Sequence, residues 1–352
     1  MKPYWSKRLE NIVPYTPGEQ PKDGVFIKLN TNENPYPPSP AVLRAIEQGT
    51  DAGLRLYPKP ECEEVRAAIA KHFGLTPEQV FVGNGSDEVL AMAFLAFFSP
   101  EDRIAFPKIS YSFYPVYADL FGIPYDAVQL REDFTLDGTV FDQTYQGIVF
   151  ANPNAPTGIA LSLDEVEEIL KAHGDIPVIV DEAYVDFGAE SAVKLIDRYP
   201  NLLVIQTFSK SRSLAGLRVG FALGQENLIE AINAVKNSFN SYTVDRLAQR
   251  GAVAAMEDEA YFETTRHRIM ATRERSIAAL RELGFEVLPS KTNFVFASYP
   301  GRDGAELLGM LREKKILVRH FDQPGIEQFL RITIGTDEEM DALIAALREM
   351  IA

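Results

Sequence analysis

Residues 178–184 read Val-Ile-Val-Asp-Glu-Ala-Tyr, and residues 202–210 read Leu-Leu-Val-Ile-Gln-Thr-Phe-Ser-Lys. Each begins as an unbroken apolar run and ends abruptly in polar side chains. A strand that is apolar at every position is buried on both faces, which suits a parallel sheet covered by helices on each side. Outward from this pair the pattern repeats. Strands are predicted at Arg103–Phe106, Gly147–Ala151, Val178–Val180, Leu202–Gln206 and Val219–Leu223, with a shorter one at Val80–Val82. Between two of them, residues 162–174 read SLDEVEEILKAHG, where Ser162 and Glu165 form a capping box and Gly174 marks the stop. Further helices are predicted at Glu61–Phe73, closed by Gly74, and at Glu88–Phe98, with Ser86 as N-cap. Strands alternating with helices predict an α/β fold whose mostly parallel sheet has right-handed crossovers.

The flanks read differently. Residues 1–40 carry Pro3, Pro14, Pro17, Pro21, Pro35, Pro37, Pro38 and Pro40, too many for a regular helix. The aromatics Tyr4, Trp5, Tyr15, Phe26 and Tyr36 favour an arm laid over another surface rather than a disordered tail. Near the other end, long helices over Asp245–Leu283 precede a strand region at Phe285–Ala297. A helix at Ala305–Lys315, strands at Ile316–Arg319 and Phe329–Ile334, and a last helix at Asp337–Met350 follow. The last helix aligns Met340, Leu343, Ile344, Leu347 and Met350 on one stripe. The organisation predicted is an arm over 1–44 that partly joins the small domain, a large domain over 45–245, and a smaller α+β domain over 246–352.

Composition narrows the function. The 352 residues carry a net charge of −15, which opposes general binding to phosphate backbones but leaves room for a small anion in a locally basic pocket. The longest uncharged apolar run, Val89–Phe98, is about half the length of a membrane span. The single cysteine, Cys62, excludes an internal disulfide, and His72, His173, His267 and His320 show no metal-ligand spacing. The first residues lack the apolar core of a signal peptide, so a cytoplasmic, metal-independent protein is expected.

In an open parallel sheet, ligands bind beyond the carboxyl ends of the strands. Four predicted strands end in Gly83-Asn84-Gly85-Ser86-Asp87, in Asn152-Pro153-Asn154-Ala155-Pro156-Thr157-Gly158, in Asp181-Glu182-Ala183-Tyr184, and in Thr207-Phe208-Ser209-Lys210. Each alone reads as an ordinary turn, cap or surface residue. Their order and spacing say more, with 27 residues from Asn154 to Asp181, 26 from Tyr184 to Lys210 and 8 from Lys210 to Arg218.

This set resembles the fold-type I aminotransferases that use pyridoxal phosphate, and among them the histidinol-phosphate aminotransferase family. The carrying motifs are LNTNENPY (29–36), GNGSDE (83–88), NPNAPTG (152–158), VDEAY (180–184), TFSKSRSLAGLRVG (207–220) and FLRITIG (329–335). The resemblance implies that Lys210 bonds to the cofactor's aldehyde carbon and later moves a proton. It implies that Asp181 pairs with the ring nitrogen and that Tyr184 donates to the ring's phenolic oxygen. Phosphate contacts fall to Gly85, Ser86, Asp87, Thr207, Ser209 and Arg218. Tyr111, in KISYSFYPVYA, matches the residue stacked on the ring, and Tyr57, in RLYPKP, matches one that reaches the neighbouring subunit's site in a homodimer. Arg331 matches the clamp for a substrate carboxylate, with Arg319, Asn293, Asn30 and Asn34 as further substrate contacts. One departure stands out. Many relatives have asparagine immediately before Pro-Thr-Gly, where this chain has Ala155, so the amide contact is assigned to Asn154.

The implied reaction exchanges an amino group between L-histidinol phosphate and 2-oxoglutarate, with glutamate as the amino donor, in histidine synthesis. An aromatic amino-acid aminotransferase and a pyridoxal-phosphate decarboxylase of a phosphorylated amino acid would use the same machinery. A ligand-sensing module of a transcription regulator would need a DNA-binding domain, for which no space is expected before residue 40. A nucleotide-binding α/β protein would have no use for Lys210.

Overall fold

The computed structural model describes residues 4–6, 9, 12–22 and 24–351. Pro3, at the start of the expected arm, lies outside the described residues. The centre of the molecule is a seven-stranded sheet. Its spatial order is Val80–Gly83, Gly220–Leu223, Leu202–Thr207, Val178–Asp181, Gly147–Ala151, Ile104–Pro107, Tyr125–Val128. The apolar runs are buried on both faces as their composition demands. Ile148, Phe150, Val178, Val180, Leu202 and Val204 enter one core, while Val149, Ile179, Leu203 and Ile205 enter the core on the opposite face. Each such side chain contributes roughly 1.5–3 kcal/mol on burial, so the alternation commits both faces to helical cover.

The strand Gly220–Leu223 departs from the expected parallel series. It runs antiparallel to both of its neighbours, Leu202–Thr207 and Val80–Gly83. The connection over 208–219 holds only the one-turn helix Ala215–Leu217, whereas a parallel return needs a full crossover. The edge strand Tyr125–Val128, parallel to Ile104–Pro107, has no counterpart in the sequence reading, because it is short and only half-buried. The predicted cap at Ser86 is also displaced. The helix starts at Gly85 with Asn84 as N-cap, and the Glu88 carboxylate accepts the Asn84 N–H at 2.6 Å, so Ser86 falls inside the first turn. At the other helix the capping box forms as read, with Glu165 accepting Ser162 N–H at 2.8 Å.

The second layer of structure is built from both ends of the chain. A four-stranded antiparallel sheet is ordered Arg319–His320, Phe329–Thr333, Phe294–Ser298, Glu286–Val287. The expected strand Ile316–Arg319 divides. Ile316–Leu317 pairs in parallel with Ile27–Lys28 of the arm, and Arg319–His320 pairs with Phe329–Thr333. Leu29 N–H donates to the Leu317 carbonyl, and the Leu29 carbonyl accepts from Thr333 N–H. Leu29 thereby sits in the same apolar cluster as Ile269, Val295, Leu330 and Leu343. The long helical region breaks at Asp258 into Arg246–Glu257 and Glu259–Glu282. No helix of the described residues is long and apolar enough to cross a membrane.

One glycine fixes how the antiparallel strand meets the helix start. A Cβ on Gly220 would lie 2.2 Å from Ser86 N and 2.4 Å from the Gly85 carbonyl carbon, both backbone atoms. Gly220→Ala is expected to lower stability by roughly 1–3 kcal/mol, read as a shift in urea midpoint, because a backbone obstacle cannot rotate away.

Candidate active site

Parallel strands put their carboxyl ends on one edge, and the antiparallel strand between them does not change that. Asp181 is the last residue of Val178–Asp181, Thr207 the last of Leu202–Thr207, and Gly83 the last of Val80–Gly83. These ends open into a cavity of about 260 Å³. Ser86, Asp87, Tyr111, Asp181, Tyr184, Thr207, Ser209, Lys210, Arg218, Arg319, Arg331 and Asn30 all line it. Four cationic side chains therefore face one space in a chain of net charge −15.

At the floor, Asp181 is 5% exposed. Its carboxylate accepts from Tyr114 OH at 2.9 Å and from Ala183 N–H at 3.1 Å, both neutral donors. Burial is the main influence on this acid and pushes it up to about 6, against the lowering effect of those two bonds. Lys210 donates from Nζ to the Thr31 carbonyl at 3.3 Å and sits 5.7 Å from the Tyr184 ring centre. The Tyr184 hydroxyl accepts from Asn32 Nδ2 at 2.9 Å.

The start of the helix Gly85–Phe97 carries the anion-binding character expected of backbone N–H groups at such an end. Arg218 folds over it in a left-handed conformation, φ 53°, and a Cβ on Gly85 would lie 2.5 Å from Arg218 Nη2. The Thr207 hydroxyl donates to Ser209 Oγ at 2.9 Å and accepts the Ser209 N–H at 3.1 Å. Asp87 stands among these groups as an acceptor only. Its carboxylate takes Tyr111 OH at 2.6 Å and Arg218 Nη2 at 3.0 Å, so its side chain aims those two residues and offers an anion nothing.

Arg331 lies across the cavity on the strand Phe329–Thr333. Its Nη2 donates to the Asn30 carbonyl at 3.1 Å, and its Nε is buried without a partner. The guanidinium stands 5.4 Å from the Phe294 ring centre and 5.3 Å from that of Phe321. No described carboxylate pairs with it. Arg319 donates to the carbonyls of Thr16 and Pro17 and also reaches the cavity.

Three sequence assignments meet a different placement. Asn154 does not line the cavity. Its amide is spent tying its turn to the neighbouring loop, accepting from Ser110 Oγ at 2.8 Å and donating to the Ile109 carbonyl and Thr157 Oγ1, both at 3.0 Å; Ala155 faces the cavity instead. Asn293 is fully buried behind the site, where it donates to the Asn32 carbonyl at 3.0 Å. Asn34 grips the carbonyls of Lys210 and Ser211 and so steadies the lysine turn rather than facing the cavity. Tyr57, assigned to a neighbouring subunit's site, is 81% exposed and stacks on Tyr242 with ring centres 4.6 Å apart, outside the cavity of its own chain.

The sequence reading missed Asn32, Tyr15 and Tyr114. Tyr114 follows Tyr111 at a spacing of three, which on a helix turn places both hydroxyls near the strand ends. Asn32 sits between two asparagines that were singled out, and only its φ of 56° turns it inward. Nothing local marks Tyr15, whose ring stacks on Phe113 at 4.4 Å.

Residues 25–347 match the family described as aminotransferase class I and II. The chain belongs to that family. It is a pyridoxal-phosphate-dependent transaminase. A similar protein is histidinol-phosphate aminotransferase 1 of Bordetella parapertussis, 59% identical over 100% of both chains. The histidinol-phosphate aminotransferase of Aromatoleum aromaticum is 55% identical over 100% of both. The crystal structure of the histidinol-phosphate aminotransferase of Sinorhizobium meliloti, in complex with pyridoxal-5'-phosphate, superposes with a TM-score of 0.85 at 26% identity, covering 93% of this chain and 91% of that one. The donor set fits this family's cofactor. A buried acid lacking a cation suits a protonated ring nitrogen, and the Gly85 turn with Arg218, Thr207 and Ser209 suits a phosphate.

Between the usual carboxylate range near 4 and about pH 6, the cofactor-free folded chain holds a proton on Asp181 that the unfolded chain releases. Stability in that window therefore falls as pH rises, by on the order of 3 kcal/mol in all, and stays lowered above it. Asp181→Asn should remove that portion of the slope. Urea unfolding of both cofactor-free proteins at pH 4.5 and 7.5 checks this, and equal slopes would place the titration elsewhere.

Proposed function

We propose that the chain transfers an amino group between L-histidinol phosphate and 2-oxoglutarate in histidine synthesis, with glutamate as the amino donor. The observation that supports this most is Arg331, a guanidinium reaching the cavity with no carboxylate partner among the described residues. Leaving such a group unpaired is costly, so an anionic substrate group is its natural partner. Glutamate and 2-oxoglutarate offer a carboxylate and histidinol phosphate a phosphate, and one arginine serves each in turn. Arg319 and the Asn30 region border the same space.

The pyridine ring of the cofactor supplies the electron sink that lets a proton leave a carbon beside an amine. The rest falls to side chains. Lys210 Nζ would bond to the cofactor's aldehyde carbon and, when free, would take and return the substrate proton. Asp181 would keep a proton on the ring nitrogen, since its own burial makes it a demanding partner for a cation. Tyr184 would direct its hydroxyl at the phenolic oxygen. Tyr111, held in place by its bond to Asp87, would cover the ring face. Ser86, Thr207, Ser209, Arg218 and the backbone at Gly85 would hold the phosphate.

Residues 45–245 form the cofactor-holding body in this reading, and residues 246–352 with the arm form the body that closes over substrate. The active unit is a homodimer, in which Tyr57 reaches the neighbouring phosphate site. Leu54, Leu56, Tyr57, Phe239 and Tyr242 are exposed apolar side chains that fit such an interface. A cytoplasmic setting suits the lone thiol of Cys62.

Lys210→Ala is expected to fold, to lose turnover, and to lose the cofactor label that borohydride fixes to the native chain. Retained transamination would remove the role given to that amine. Arg331→Ala should weaken glutamate and histidinol phosphate alike, by roughly 10- to 100-fold, as fits the loss of charged hydrogen bonds. Native enzyme should turn over histidinol phosphate faster than phenylalanine or tyrosine at equal concentration; the reverse order would favour an aromatic aminotransferase.

A further inference from the structure

The Ala155 side chain has no polar atom to offer the cavity, and the Asn154 amide is occupied elsewhere, so the side-chain amide beside Tyr184 comes from the arm. Asn32 is 1% exposed and takes up φ 56°, a left-handed conformation that asparagine tolerates. Each of its polar groups has a partner. The backbone N–H donates to Thr333 Oγ1 at 3.0 Å, and Oδ1 accepts from the same hydroxyl at 3.1 Å. The backbone carbonyl accepts from Asn293 Nδ2 at 3.0 Å, and Nδ2 donates to Tyr184 OH at 2.9 Å.

This arrangement sets the direction of the amide. The Thr333 hydroxyl accepts the Asn32 N–H and gives its own proton to Oδ1, which leaves the amino end facing the phenol. A phenol that accepts an N–H keeps its own O–H free to donate, and the free direction is the cavity. Turning the amide over would make the phenol the donor to Oδ1 and take that proton away from the cavity.

We propose that Asn32 is a positioning residue that acts through Tyr184, fixing the phenol as a donor toward the cofactor's phenolic oxygen. Thr333 and Asn293 fix Asn32 in turn, so the arm and the small sheet become part of the machinery that tunes the cofactor. The proposal rests on the reading of Tyr184 given above. The charged groups around the phenol are Lys210, 5.7 Å from its ring centre, Arg331 on the strand Phe329–Thr333, and Asp181 through Tyr114. Those are unchanged by substitutions at Asn32.

A hydrogen bond donated to the phenolic oxygen draws charge from it, which makes that oxygen a poorer partner for a proton shared with the lysine nitrogen. Losing the donor raises the pH at which the lysine-bound cofactor changes colour. The experiment is a spectroscopic pH titration of the resting holoenzyme, without substrate. Asn32→Gly, which tolerates the left-handed backbone, should move the transition upward by roughly half to one pH unit. Thr333→Val, which touches neither phenol nor cofactor, should move it the same way by less. Tyr184→Phe should move it upward too, and adding Asn32→Gly to Tyr184→Phe should add no further shift. A transition unmoved by both Asn32→Gly and Thr333→Val, or additive shifts in the double variant, would overturn the role of Asn32 while leaving Tyr184 in place. A Tyr184→Phe variant that titrates like the native enzyme would instead overturn the underlying reading of the phenol.

Discussion

A carboxylate sealed at the end of a parallel strand, with only a phenol and one backbone N–H beside it, is the constraint on which the site depends. Asp181 costs free energy where it stands, and no side chain among the described residues forms an ion pair with it. That cost is what makes the position selective, because above about pH 6 a bound cation at the right place relieves it. The surrounding sheet keeps the group dry. Val180 and Ile179 belong to the cores on opposite faces, so the strand cannot shift to let water reach its end without exposing one core or the other.

Two cations of the site are held apart by the same framework. Arg218 and the Gly85 turn stand at one end of the cavity, and Arg331 stands on a separate sheet. Asp87 keeps Arg218 and Tyr111 aimed, much as Asn34 steadies the turn that carries Lys210. These supporting residues touch the loops and side chains of the site, and their removal would loosen geometry rather than delete chemistry.

The arm ties the two sheets together. Ile27–Lys28 adds to Ile316–Leu317, Leu29 enters the smaller core, and Asn32 reaches from there to Tyr184. A segment of about twenty described residues that forms almost no secondary structure of its own thus links the strand carrying Arg331 to the loop carrying Tyr184. Its prolines keep it extended enough to cross that distance.

Much of this was written locally. The apolar runs at 147–151, 178–181 and 202–207 demanded a sheet buried on both faces, since their alternate residues have no polar side to offer water. The polar residues that end those runs had to share an edge once the strands ran parallel, so Asp181, Thr207 and Lys210 were legible in order and spacing. The direction of Gly220–Leu223, the edge strand Tyr125–Val128, and the inward turn of Asn32 were settled by the tertiary structure. Each depends on what the rest of the chain leaves available: a connection too short for a crossover, an open sheet edge, a hydroxyl at Thr333. The same reason separates Ala155 from Asn154. Two adjacent residues look interchangeable in a list of motifs, but the turn shows one side chain to the cavity and hands its neighbour to Ser110 and Ile109 of another loop.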